Sequence, residues 1–169
     1  MEISDYLDNV KLWYSQVLRN KKLISDDAIL ISFKSIRNEI NGSEQGSIIY
    51  LKKENMPSLY KDIICLLNEL LQTEHEPNTS QVDRMKKNEI NIIKVIFQTF
   101  ANYVNSGIEY SSDIWSLLFP ETFIFIVALA TKLRVRGLLG LVYNIIYNCI
   151  CKEAPTCLKY HQEIIDRNK

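Results

Sequence analysis

The chain has 169 residues, 47% hydrophobic and 24% charged, a size at which one domain buries about 70% of its unfolded surface. Twenty basic and twenty acidic residues give a formal net charge of zero, which excludes a whole-molecule field drawing the chain to nucleic acid or an anionic membrane. Five glycines and four prolines are too few for the many turns of a sandwich or barrel, so the composition favours helices.

Helical spacing begins at once. Leu7, Val10, Tyr14 and Val17 mark the face of a first helix, with Ser4 as its N-cap. Ile29, Phe33, Ile36 and Ile40 mark a second, from near Ser25 to a stop at Gly42. The polar NGSEQGS, Asn41 to Ser47, reads as a mobile loop. Ile48 to Leu51 is a short apolar run. A lone strand has nothing to pair with, so this run is expected to be a loop that packs down.

Pro57 suits a helix's first turn. The face Leu59, Ile63, Leu66 and Leu70 carries that helix to about Thr73. TEHEPNTS, Thr73 to Ser80, reads as a second mobile loop, with Pro77 closing off the helix before it. Ser80 with Asp83 resembles a capping box. It opens a long helix faced by Val82, Met85, Ile92, Ile96, Phe100 and Tyr103, ending at Ser106-Gly107.

The last third predicts a short helix from Ser112 to Phe119, a helix from Glu121 to Thr131 behind Pro120, and a basic turn of Lys132, Arg134 and Arg136. A helix from Arg134 to about Lys152 follows, and Pro155 opens a final amphipathic one. The uncharged runs Thr122–Thr131 and Gly137–Cys151 have ten and fifteen residues. Both fall short of the roughly 20 needed to span a bilayer. The acidic N-terminus lacks the basic and apolar regions of a signal peptide. Buried helices of a soluble intracellular protein with no membrane span are therefore expected.

The pattern predicts an all-α fold of about eight helices, residues 1–169 forming a single armadillo-like helical solenoid. The stretch 112–152 has the rhythm of one armadillo-type repeat, which is about 40 residues long. Asparagines recur late in four helices, at Asn38, Asn68, Asn102 and Asn148. On inner helices of a solenoid, Asn102 and Asn148 would line a groove and bond the backbone of an extended protein segment. The alternative is that each caps a nearby turn. The final helix has one modest apolar face with nothing after it in the sequence. A fragment of a longer solenoid, or self-association through the C-terminal helices, is expected from that.

Catalytic chemistry is thin. His75 sits in a polar linker, His161 on a charged helix, and GLLG at 137–140 lacks the lysine and strand of a phosphate loop. Cys149, Cys151 and Cys157, with His161, supply soft ligands for zinc or monovalent copper. But Cys149 and Cys151 are two apart on a helix and point about 200° apart. Packing is the preferred role of these cysteines, and no cofactor is expected. Aromatic residues fall at core spacing without a basic stripe, so no nucleic-acid partner is expected.

Three stretches together resemble the ataxin-10 family, which includes fungal relatives named as copper transport protein 86. SFKSIRNEINGSEQGSI (Ser32–Ile48) is similar to a family helix ending in an Arg-Asn pair before a polar loop. IFQTFANYVNSG (Ile96–Gly107) is similar to a helix ending in Asn and a polar turn. SSDIWSLLFPETFIFIVALATKLRVRGLLGLVYNIIYNCI (Ser111–Ile150) resembles the family's Trp, Phe-Pro-Glu, helix, short turn and long apolar helix. The resemblance implies a cytoplasmic, non-enzymatic armadillo-like scaffold with protein partners, linked to cytokinesis, of which this chain is the N-terminal portion. It brings no catalytic or copper-ligand motif. The alternative function is a copper-linked or metal-handling module using Cys149, Cys151 and Cys157.

Overall fold

The computed structural model describes residues 2–22, 27–40, 45–73 and 80–167; of 72–73, 80–86 and 152–165 it describes the backbone course alone. Among the described residues the fold is all-α, with no strand. The helices are α1 (Ile3–Asn20), α2 (Asp27–Glu39), α3 (Gln45–Lys53), α4 (Met56–Thr73), α5 (Ser80–Asn105), α6 (Ile108–Leu118), α7 (Glu121–Lys132) and α8 (Arg136–Arg167). α5 packs against α2 on one side and α8 on the other, so every third helix from α2 onward joins one row. α1 packs on α2, α4 on α5, and α6 and α7 on α8.

The number of helices matches the expectation, but two of them differ. Ile48 and Leu51, expected in a loop, belong to α3, which begins at Gln45 inside the segment read as polar loop. They are three residues apart and so share one helical face, and both are buried together with Ser47. At the other end, α8 continues through Pro155 to Arg167 instead of restarting there. A proline removes one backbone donor and kinks a helix, but a long helix can carry it. The remainder of the two expected loops, 41–44 and 74–79, lies outside the described residues.

One predicted face is rotated, and a second differs at one position. In α4 the buried stripe is Met56, Tyr60, Ile63, Ile64, Leu67 and Leu71, while Leu59, Leu66 and Leu70 are half-buried. The shift is one residue, about 100° around the axis. In α1 Trp13 is buried and Tyr14 only partly so. Ser4 lies inside α1; the N-cap is Glu2, whose backbone N–H donates to Asp5 Oδ2 at 2.9 Å. The α2 face of Ile29, Phe33, Ile36 and Ile40 is buried as read, as is Ile92, Ile96, Phe100 and Tyr103 of α5.

A row of rings crosses the core. Trp13 meets Phe33 edge-on at 5.8 Å, Phe33 meets Tyr60 at 5.5 Å, Tyr60 meets Phe100 at 6.0 Å, and Phe100 meets Phe97 at 5.8 Å. These contacts tie α1, α2, α4 and α5 together, each worth about 0.5–1.5 kcal/mol beyond area burial. The Tyr60 hydroxyl is fully buried and has no hydrogen-bond partner among the described residues. Burial pushes its titration far above the ordinary phenol range, so it stays protonated.

The basic turn of the sequence is the stop of α7. Arg134 has φ 57, in the left-handed region. Its N–H donates to the Thr131 carbonyl at 3.2 Å, and the Val135 N–H donates to Ala130 at 2.9 Å. This pairing is a Schellman stop with arginine where glycine is usual. Lys132 in the last turn also suits the negative end of the helix dipole. The chain then reverses into α8, which lays Leu138, Val142, Ile145 and Cys149 into the core.

Val142 tests this arrangement. Its side chain is fully buried, so Val142→Asp places a charge in the core without a partner. A loss of at least about 3 kcal/mol in urea unfolding is expected. A midpoint equal to the parent's would show that α8 is not packed as described.

Candidate interaction face

The row α2–α5–α8 has an outer side, and the period of α5 decides what stands on it. Ile92, Ile93, Ile96, Phe97, Phe100, Tyr103 and Val104 are buried. The opposite stripe, Lys87, Asn91, Lys94, Gln98, Asn102 and Asn105, recurs at helical spacing and stays open or half-open. It carries ammonium groups and carboxamides and no carboxylate.

Hydrogen bonds place neighbouring helices on the same side. Arg37 of α2 donates from Nη1 to Gln98 Oε1 at 2.6 Å, and from Nε and Nη2 to Asn38 Oδ1 at 3.2 and 3.1 Å. Asn102 Nδ2 donates to the Arg37 carbonyl at 3.3 Å. That carbonyl is among the last four of α2, which have no acceptor role within their own helix. Asn102 therefore closes the end of α2 from a neighbouring helix.

On the other flank, a Cβ built on Gly137 of α8 would lie 3.9 Å from the Lys94 side chain. Twelve residues further along α8, the Cys149 thiol reaches the Ser111 carbonyl at 3.8 Å, just past the end of α5. α8 thus runs alongside α5 in the same direction. Asn148 then lies level with the end of α5 rather than with Asn102. Its Nδ2 donates to Asn144 Oδ1 at 2.6 Å, one turn earlier on the same helix. The two asparagines singled out from sequence share the row but are not joined by a hydrogen bond. Of the four recurring asparagines, Asn38, Asn102 and Asn148 are on this row and Asn68 is on α4. Sequence reasoning missed Arg37, Lys94 and Gln98. The signal was present as a four- and three-residue repeat of polar residues along α5.

Other recesses are formed as well, two of them beside α6. A cleft of about 430 Å³ is lined by Lys52, Asn55, Ser58, Tyr103, Asp113 and Ser116. Lys52 pairs with Glu109 and with Asp113 at 3.3 Å, and stands over the Tyr110 ring. The hydrogen bond with Glu109 is the main cause raising the lysine's pKa. Tyr103 donates to Asp113 at 3.4 Å; burial first, then that carboxylate, holds its phenol protonated. One ammonium here faces two carboxylates. An apolar groove of about 340 Å³ lies where α6, α7 and α8 meet, lined by Trp115, Phe119, Phe123, Ile124, Val127 and Ile146. Trp115 and Phe119 stack at 4.3 Å. Phe119 and Ile124 are 53% and 66% exposed.

Cys149 and Cys151 do not converge. Cys149 is buried against α6 while Cys151 is exposed. Cys157 and His161 have side chains outside the described ones. Among the described residues no three of His, Cys, Asp and Glu group together. No single described helix is long and apolar enough to cross a membrane.

The two asparagines should separate on mutation. Asn102→Ala removes a bond between helices and should cost about 0.5–1.5 kcal/mol. Asn148→Ala breaks only an exposed bond within α8 and should change stability by less than about 0.5 kcal/mol. Equal losses in parallel thermal melts would contradict the roles described.

Comparisons with protein-family models, with curated proteins and with solved structures found no match.

Proposed function

We propose that this chain is a non-enzymatic protein-interaction scaffold of armadillo-like build, presenting the outer side of α2, α5 and α8 to a protein partner. One observation carries the reading: α2, α5 and α8, every third helix, lie side by side in a single row. On its open side that row shows groups able to bond a peptide backbone, with Gly137 and Gly140 leaving bare floor beside them. Solenoids generate extended binding surfaces in this way. The resemblance of Ser32–Ile48, Ile96–Gly107 and Ser111–Ile150 to the ataxin-10 family supports the finer proposal, a cytoplasmic scaffold linked to cytokinesis.

A substitution can block this face without touching the core. A Cβ at Gly140 meets nothing within 4 Å, so Gly140→Trp adds bulk over the face, and loss of a helix-interior glycine leaves stability equal or higher. With the intact chain as bait, quantitative pull-down should recover a saturable set of proteins that the tryptophan variant loses at unchanged melting temperature. Equal recovery by both baits would move the interaction elsewhere; no saturable partner would end the scaffold reading.

The apolar groove favours a second contact. We propose that copies associate through the C-terminal helices, covering Phe119 and Ile124, since exposed apolar patches of this kind mark association sites. Light scattering over a concentration series should show mass rising with concentration, and Ile124→Ser should abolish the rise. A strict monomer at high concentration would refute it.

A further inference from the structure

The geometry points to one kind of ligand for the α2–α5–α8 face: we propose that it binds an extended acidic peptide segment, whose carboxylates meet Arg37, Lys94 and Arg136 in turn. This deepens the scaffold reading and rests on it.

Charge is the first ground. The described ion pairs are Lys11–Glu54, Lys52–Glu109 and Lys52–Asp113, and none lies on this face. Arg37, Lys94 and Arg136 make no ion pair among the described residues. The protein has equal numbers of acidic and basic residues, so a row of cations without counter-charges is a local arrangement and not a bulk excess. Complementary potential of this sort selects a partner of the opposite sign and repels the same sign. The cleft beside Lys52 contrasts with it, because two carboxylates already satisfy that ammonium.

Spacing is the second ground. Arg37 reaches Gln98 on α5. Lys94 stands one turn before Gln98 and lies beside Gly137, the neighbour of Arg136. The three cations therefore come from three successive helices. Packed helix axes lie about 8–10 Å apart, and an extended chain rises about 3.3 Å per residue. Acidic residues about three positions apart would meet successive helices. On the same stripe of α5, Asn91 before and Asn105 after this level present carboxamides that both donate and accept, matching a peptide's N–H and C=O. A single nucleic-acid strand would instead call for stacking rings. α2 and α5 bury their rings, Phe33, Phe97, Phe100 and Tyr103, on the other side, and the exposed rings of α8, Tyr143 and Tyr147, stand about two and three turns beyond Arg136.

The test is fluorescence anisotropy of the full chain with a labelled peptide of about twelve residues, long enough to cross three helices. The peptide has glutamate at every third position in a Gly/Ser background. The expected result is saturable binding that weakens as salt rises. Replacing Glu by Gln in the probe, or introducing Lys94→Glu with Arg136→Glu in the protein, should each weaken binding about tenfold or more. Thermal melts of the double variant should match the parent, since neither side chain is buried or paired. Tighter binding of a control peptide with lysine in place of each glutamate, or of a single-stranded oligonucleotide of equal length, overturns the acidic assignment. Absence of glutamate-peptide binding, or binding indifferent to the double variant, overturns it too. In each case the scaffold reading stands if Gly140→Trp still releases the partners recovered by the intact chain, so the two failures are distinguishable.

Discussion

Burial of α5 on all but one stripe is the constraint on which the rest of this structure depends. Its apolar residues occupy more than half of the helix circumference from Ile92 to Val104. A helix with that much apolar surface cannot be satisfied by one neighbour. α2 and α8 flank it, α4 and α6 also pack on it, and the rings of Tyr60 and Phe100 meet in the space between. The row of third helices follows from the same requirement. Once both flanks of α5 are taken by long helices, only the stripe from Lys87 to Asn105 remains open.

That constraint explains why polar groups gather on one side. Arg37 and Asn102 each use a hydrogen bond that crosses between α2 and α5. They stand at the edge of the row, where the backbone carbonyls at the end of α2 need donors. Inside the core the opposite condition holds, and Tyr60 carries a hydroxyl with no partner among the described residues. An unmade hydrogen bond of this kind costs about 1–3 kcal/mol. The ring contacts with Phe33 and Phe100 offset it and keep the aromatic in place.

The three surface features differ in how complete they are. The cleft near Lys52 contains its own counter-charges and its own hydrogen bonds, which makes it a seam between α3 and α6. The groove near Trp115 has almost wholly apolar walls, which suits coverage by another apolar surface. The outer face of the row has cations without counter-charges and amides facing outward. Incomplete electrostatics at a face with a bare glycine floor make it the place where a partner would change the most.

The sequence by itself determined that the chain is helical, where most helices run, and the buried positions Ile29, Phe33, Ile36 and Ile40 of α2 and Ile92, Ile96, Phe100 and Tyr103 of α5. Those features rest on periodicity, and a 3.6-residue repeat of apolar side chains needs no knowledge of neighbours. The α3 helix escaped that reading because its nine residues hold only about two and a half turns, too few for a period to show. In α4 the apolar residues cover nearly half the circumference, and only the position of α5 and α6 selects Tyr60 and Leu67 over Leu59 and Leu66. The face was half legible: Asn102 and Asn148 lie on helices that do stack, but their partners belong to other turns and other helices. Arg37, Gln98, Lys94 and Gly137 are separated by up to a hundred residues in the chain. Tertiary structure alone brings them together, because the side-by-side packing of α2, α5 and α8 is set by buried surfaces on the opposite side of each helix.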